Sequence, residues 1–256
     1  MKTLKNMLKG LLIFAAILLI WHLLCKIELW SAYILPGPQK VFETMLSMFR
    51  SGELVTGILV SLRRVIIGFL LSFILAFLFA LLSAIFPKLS PYYRQILGVI
   101  RHIPPISLIP LLILWFGIGE APKLIVIVLA SFFPILLNAD SGLEGCDKRL
   151  LEVGKSLGFS KAKRFFRIML PAAVPDILVG MRIGLGYSWR AIVGAEMIAA
   201  ANGLGYLILD AQTLSRTDKV IAGIIVIGFI GTMTDWIFKC IIRLASHGRE
   251  GSELHG

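Results

Sequence analysis

The chain has 256 residues, of which 57% are apolar and 16% charged, with a formal net charge of +11. Soluble domains average about 45–50% apolar and about 25% charged residues, so this balance excludes a water-soluble globular protein and points to a membrane chain. The basic excess does not call for nucleic acid, because Lys and Arg gathered on the cytoplasmic side raise the charge of any polytopic protein.

Apolar runs near the ~20 residues needed to cross a bilayer fall at 9–25, 65–86, 92–115, 123–138, 174–200 and 220–242. They predict about six spans and an all-α fold, since an isolated strand cannot satisfy its backbone in lipid. The first run follows Lys2, Lys5 and Lys9 as the core of a signal peptide would, but no small-residue cleavage site comes after it. It reads as an uncleaved span. With the N-terminus inside, 17 of the 26 Lys and Arg residues fall on the inner side and 8 on the outer, with Arg190 left within a span. This places both termini in the cytoplasm. The three cysteines and four histidines are scattered without ligand spacing, so neither a metal site nor a disulfide framework is expected.

Arg63 and Arg64 stand at the outer end of the second span, either attracting anions or a binding protein or serving as snorkelling interface anchors. In the third span Pro104, Pro105 and Pro110 withhold backbone donors, which invites a kink or an unwound segment. Such a break either lines a cavity or is a plain bend.

The stretch 150–171 is a basic island between apolar runs. Gly154-Lys155-Ser156 imitates the end of a phosphate loop, yet the glycine required five residues earlier is Arg149. The chain is therefore not expected to hydrolyse a nucleotide itself. Leu150, Val153, Gly154 and Leu157 form one helical stripe, with Glu152 opposite and within reach of Lys148 or Lys155. Gly158 suits a left-handed cap and Ser160 an N-cap. In the helix that follows, Ala162, Phe165, Phe166 and Met169 repeat the stripe, Lys163, Arg164 and Arg167 cover the other side, and Pro171 ends it. The outline matches a DNA-binding helix-turn-helix, but that motif needs a small soluble domain around it, and the neighbours here are apolar. Two readings remain, helices lying on lipid or a docking surface.

In the fifth span Gly180, Gly184 and Ser188 form a small-residue face fit for close packing, against a second copy or another helix of the same chain. Arg190 lies in this span, where a charge costs about 2.5–3.5 kcal/mol at the bilayer centre. Either a water-filled anion route or an ion pair, with Glu196 of the partner subunit or with Asp210, would offset it. A pair with Glu196 on the same helix is disfavoured, because six residues place the two about 240° apart. Asp235 can pair with Lys239 one turn on, which leaves it outside any pathway.

Glu152-Val153-Gly154, three residues, Gly158, nine residues and Ile168-Met169-Leu170-Pro171 keep the spacing of a known signature, Glu-Ala-Ala-x3-Gly-x9-Ile-x-Leu-Pro, with Val153 and Gly154 for its alanines. Supporting stretches are Leu35-Pro36-Gly37-Pro38, Ser61-Leu62-Arg63-Arg64 with Gly68-Phe69, Ile103-Pro104-Pro105 through Ile109-Pro110, Leu114 to Gly119, Gly194-Ala195-Glu196-Met197 and Gly203-Leu204-Gly205-Tyr206. On these residues the chain resembles the inner-membrane permease subunits of bacterial ABC importers, most like the nitrate, taurine, aliphatic sulfonate and bicarbonate class.

The resemblance implies a type I ABC importer permease fold and one permease domain over 1–256. Within it, 1–55 would be the N-terminal helix and outer segment, 56–243 the family core, 141–172 the cytoplasmic coupling loop and 244–256 the tail. It further implies a bacterial inner-membrane homodimer, two separate ATPase subunits that bind ATP and Mg, and an extracytoplasmic substrate-binding protein. No cofactor or enzymatic activity is expected in this chain. ATPase docking would fall to Glu152, Val153, Gly154, Leu157, Gly158, Phe159, Ser160, Lys161 and Arg164, with close packing accounting for the two glycines. Arg190, Ser188, Glu196, Pro104, Pro105 and Arg63 are candidates along the pathway. An aliphatic sulfonate or taurine is the first expectation for substrate, then nitrate or bicarbonate. The contrasting class, a secondary transporter or channel working without an ATPase, would carry intramembrane carboxylates or an internal repeat.

Overall fold

A computed structural model describes residues 2–27, 30–86 and 90–246. Lys88 and Arg249 of the predicted inner segments, and the tail from 247 onward, lie outside the described residues. The described backbone is helical: α1 (Lys2–Lys26), α2 (Pro38–Arg50), α3 (Glu53–Ile85), α4 (Ser90–Ile100), a 3₁₀ turn at Pro105–Leu108, α5 (Ile109–Phe116), α6 (Glu120–Glu144), α7 (Lys148–Ser156), α8 (Lys161–Arg164), a π turn at Phe165–Met169, α9 (Leu170–Ala199), α10 (Leu204–Thr213) and α11 (Thr217–Ser246). No strand occurs among the described residues, as expected of a chain whose backbone must satisfy itself in lipid.

Four helical stretches are long and apolar enough to cross a membrane, Glu53–Ile85, Glu120–Glu144, Lys161–Ala199 and Thr217–Arg243. The pair Tyr92–Ile100 and Pro105–Phe116, bent by 83°, is long and apolar enough only when its two pieces are taken together, as a broken span or a re-entrant loop. The bend falls where Pro104 and Pro105 remove consecutive backbone donors. The remaining predicted span, 9–25, lies on α1, whose apolar described part, Leu12–Lys26, is shorter than the others.

The chain divides into two compact units, 1–60 with 202–228 and 61–201 with 229–256. In the first, a Cβ on Gly57 would stand 2.7 Å from Leu207 Cδ1 and one on Gly223 2.8 Å from Ile208 Cγ1, so α10 lies close against α3 and α11. Buried Thr44 donates to Asp218 at 2.8 Å, and Lys219 donates to Glu53 at 2.9 Å.

The core of the second unit is an antiparallel pair, α6 and α9. Gly142 faces Ala173 and Asp176, Gly180 faces Asn138 and the Pro134 carbonyl, and Gly184 faces Ile135 and the Ser131 carbonyl. As α9 advances, α6 recedes. A Cβ on Gly180 or Gly184 would lie 2.6 or 2.8 Å from its nearest neighbour, so absent side chains are what let the backbones approach. The small-residue face therefore packs against a helix of the same chain. Around it Phe69, Ala76, Ala80, Phe132, Ile135, Leu136, Ala139, Leu143 and Ile177 form a buried apolar cluster.

Pro171 does not end a helix. The chain runs helically from Lys161 through Ala199, because the π turn lets the Leu170 N–H reach back five residues to the Phe165 carbonyl. A proline within the first turn of the next helical segment costs no hydrogen bond there.

Candidate functional site

The loop between α6 and α9 builds its turn from local signals. Asp147 Oδ1 accepts from the Arg149 N–H at 2.8 Å and starts α7. Gly158 ends it at φ +73, with the Phe159 N–H returning to the Gly154 carbonyl at 2.9 Å, and Ser160 Oγ accepts from the Lys163 N–H at 3.3 Å to start α8. The caps at Gly158 and Ser160 fall where the sequence places them. Lys163 Nζ sits 4.1 Å from the centre of the Phe159 ring, which braces the turn.

The two glycines serve different ends. A Cβ at Gly154 would lie 2.6 Å from Ile168 Cδ1 and 3.3 Å from Arg164 Cγ, so this buried glycine seats α7 on the helix that follows. At Gly158 nothing lies within 4 Å; close packing does not account for it, and the left-handed backbone does. The predicted stripe is divided accordingly. Gly154 turns inward, while Leu150, Val153, Leu157 and Phe166 are each more than half exposed. Glu152, Ser160 and Lys161 are exposed beside them and Phe159 and Arg164 are half-buried. Among the described residues no ion pair joins Glu152 to Lys148 or Lys155.

At the other end of the α6–α9 pair lies a buried charge network. Arg64 on α3 donates through Nε and Nη2 to Glu120 at 2.8 and 2.7 Å, and through Nη1 to Glu196 at 2.8 Å. Ser61 Oγ lies 2.8 Å from both Glu196 oxygens, and Lys123 donates to Glu120 at 2.8 Å. Arg64 is 3% exposed, Lys123 4% and Glu196 0%. Glu120 is 58% exposed and forms the solvent edge of the network, and two cations balancing two carboxylates is the arrangement that lets the buried members stay charged. The network ties α3, α6 and α9 together.

Of the pathway candidates, Glu196 belongs to this network, whereas Arg63 is exposed and takes no part in it. Arg190 is also exposed, its guanidinium 5.4 Å from the centre of the Tyr187 ring. Ser188 is fully buried and its hydroxyl lacks a hydrogen-bond partner among the described residues. Pro104 and Pro105 form the entry to the 3₁₀ turn, whose Ile106 would lie 2.8 Å from a Cβ on Gly194. Asp235 pairs with Lys239 at 3.0 Å and also with Arg182 at 2.8 Å.

Arg64, Glu120, Lys123 and Ser61 were not singled out in the sequence as partners of Glu196. A signal was present: Ser61, Arg64, Val65, Gly68 and Ser72 recur at steps of three and four, and all are buried. That stripe carries Arg64 inward and leaves Arg63 about 100° away.

An all-α, multi-pass membrane protein is the class that these spans define. Residues 68–246 match the family described as the binding-protein-dependent transport system inner membrane component, and the chain belongs to that family, which is one of transport permeases and not of enzymes. It is 36% identical to a Bacillus subtilis transport permease protein named for aliphatic sulfonates, SsuC, over 92% of this chain and 86% of that one. It is 37% identical to the taurine transport system permease protein TauC of Escherichia coli (90% and 85%) and 31% identical to the nitrate import permease protein NrtB of Synechocystis (86% and 82%). Its fold matches a chain in a crystal structure of an amino acid ABC transporter with histidines, at a TM-score of 0.64 and 17% identity, over 80% of this chain and 98% of that one.

Proposed function

We propose that the chain is the permease subunit of an ATP-driven, binding-protein-dependent importer of a small anion, an aliphatic sulfonate or taurine before nitrate or bicarbonate. Two copies form the pore, two ATPase subunits carry ATP and Mg beneath them, and an external binding protein delivers substrate. The loop 141–172 and both termini face the cytoplasm, and the whole chain acts as one permease domain.

The observation that carries this reading is the turn around Gly158. It presents Leu157 and Val153, 66% and 55% exposed, at the tip of two capped helices, with Glu152 and Lys161 as a polar rim. An apolar knob of this kind costs free energy in water unless a partner covers it. Its continuation into the 39-residue helix Lys161–Ala199 gives force applied at the tip a rigid path into the membrane. The names of the sulfonate and taurine relatives support the substrate class, and the exposed Arg190 is compatible with an anionic route.

The test is uptake into proteoliposomes holding this chain with its ATPase, with labelled taurine, ethanesulfonate or nitrate and the binding protein supplied outside. Uptake of the sulfonates that requires both ATP and the binding protein is the expected result. Uptake by the chain alone along an ion gradient would favour a secondary transporter and overturn the proposal.

A further inference from the structure

A cavity of about 410 Å³ in the first unit is lined by Tyr33, Lys40, Ser215, Arg216, Thr217 and Asp218, together with Ala32 and Pro36. We propose that it binds the head of a tetrahedral oxyanion, sulfonate or phosphate, at the surface of the protein. The proposal rests on the reading of the chain as an anion importer, and it adds a station that the pathway candidates do not include.

Three observations support it. Charge comes first: Lys40 and Arg216 bring two cations against one carboxylate, and among the described residues no carboxylate lies within 4.0 Å of Lys40. Orientation is the second. Asp218 accepts from Arg216 through Oδ1 at 2.9 Å and through Oδ2 at 2.8 Å, and Oδ2 also accepts from buried Thr44 at 2.8 Å. Both carboxylate oxygens are thus turned to protein donors, and the fork of a half-exposed arginine is held in place by buried groups. An arginine held in this way loses less entropy on meeting an oxyanion.

The third is the backbone. Ser215 is the one non-glycine residue with a left-handed φ among those described, +57°, in a turn where the Arg216 N–H reaches the Ala211 carbonyl at 2.7 Å. Glycine is the usual occupant of that position. A serine there accepts some strain at a residue that lines the cavity beside Tyr33 and Thr217, two further residues that carry a hydroxyl. A lining of hydroxyl-bearing residues, a lysine and an arginine, with a net positive charge, suits oxyanion oxygens, which only accept hydrogen bonds.

Two sources could supply such a head, the transported sulfonate or the phosphate of an anionic lipid, and one experiment separates them. The complex of this chain with its ATPase is placed in phosphatidylcholine nanodiscs and its thermal midpoint is followed as ethanesulfonate is added. In parallel, retention of phosphatidylglycerol through delipidation is read by native mass spectrometry. Lys40→Gln, which breaks no ion pair, is the principal variant, Arg216→Gln the second and Arg50→Gln, outside the cavity, the control. A sulfonate-dependent rise in midpoint whose half-saturation weakens about tenfold or more in Lys40→Gln assigns the site to sulfonate. Phosphatidylglycerol retained by the unaltered complex and lost from Lys40→Gln assigns it to lipid. If neither ligand has an effect, or Lys40→Gln behaves as Arg50→Gln does, the proposal is overturned. ATP-dependent uptake measured on the same preparations reports separately on the importer reading, which can hold while this site fails.

Discussion

Arg64 holds carboxylates from two helices at once, Glu120 by a two-point contact and Glu196 through its remaining terminal nitrogen. Removing the guanidinium takes its cation from Glu196, which has no exposure to water, while exposed Glu120 keeps Lys123 at 2.8 Å. Arg64→Gln is expected to destabilise the folded chain by about 3–5 kcal/mol, the usual cost of leaving a buried charge uncompensated. Arg63→Gln, one residue away and exposed, should change stability by no more than about 0.5 kcal/mol. Unfolding of the detergent-solubilised protein, followed by loss of helical signal, compares the two. Equal effects would mean that the network carries no stability.

A double substitution tests whether the pair acts as a unit. Arg64→Gln with Glu196→Gln leaves two amides that can still bond each other and Ser61, so its cost should fall short of the sum of the single costs by about 0.5–3 kcal/mol. Additive costs would show that Arg64 and Glu196 matter for separate reasons.

How much of this was legible in advance depends on the range of the interaction. The caps at Gly158 and Ser160, the break at Pro104-Pro105 and the long apolar helices are set within a few residues of the chain, and each is legible there. Which carboxylate meets Arg64 is settled across 132 residues by the approach of α3 to α9, and no local pattern names that partner. The glycines at 180 and 184 announced a close neighbour without saying that it would be α6. Pro171 misled because a π turn upstream takes up the hydrogen bond that a proline normally breaks.

The α6–α9 contact makes its own prediction. Gly184→Ala would push a Cβ to 2.8 Å from Ile135 Cγ1 and 3.2 Å from the Ser131 carbonyl, whereas Gly186→Ala on the same helix meets nothing within 4 Å. The first should cost about 1–3 kcal/mol by overpacking. The second should be neutral or stabilise by up to about 1 kcal/mol through helix propensity. Thermal unfolding of the two variants in one detergent decides it, and a stable Gly184→Ala would mean that the helices separate readily.

Cys146, just before α7, is buried, and burial followed by the nearby Asp147 charge pushes its thiol above the ordinary range. The folded state therefore keeps this proton longer than the unfolded chain does. Its contribution to stability is intact at neutral pH and is lost as pH rises through the folded value. Maleimide labelling of Cys146 near pH 7 should be slow in the folded protein and fast after unfolding, and Cys146→Ala should soften the alkaline loss of stability. Fast labelling of the native protein would contradict the burial.

The turn around Gly158 gives the most direct test of the proposed coupling role. Gly158→Ala must place a Cβ at φ +73, at a cost of about 1–2 kcal/mol, although no neighbour stands in its way. Leu157→Asp leaves the backbone alone and charges a side chain that is 66% exposed. The two should therefore part company in their readouts. Gly158→Ala should lower local stability, seen as faster hydrogen exchange in α7 and the start of α8, and should weaken ATPase retention only as far as the turn is misplaced. Leu157→Asp should leave hydrogen exchange and the unfolding midpoint unchanged while reducing ATPase copurification about tenfold or more, the effect of a charge set into an apolar contact. If Leu157→Asp retains the ATPase as the unaltered chain does, the exposed stripe faces lipid, and the helices around Gly158 serve as a membrane-surface anchor.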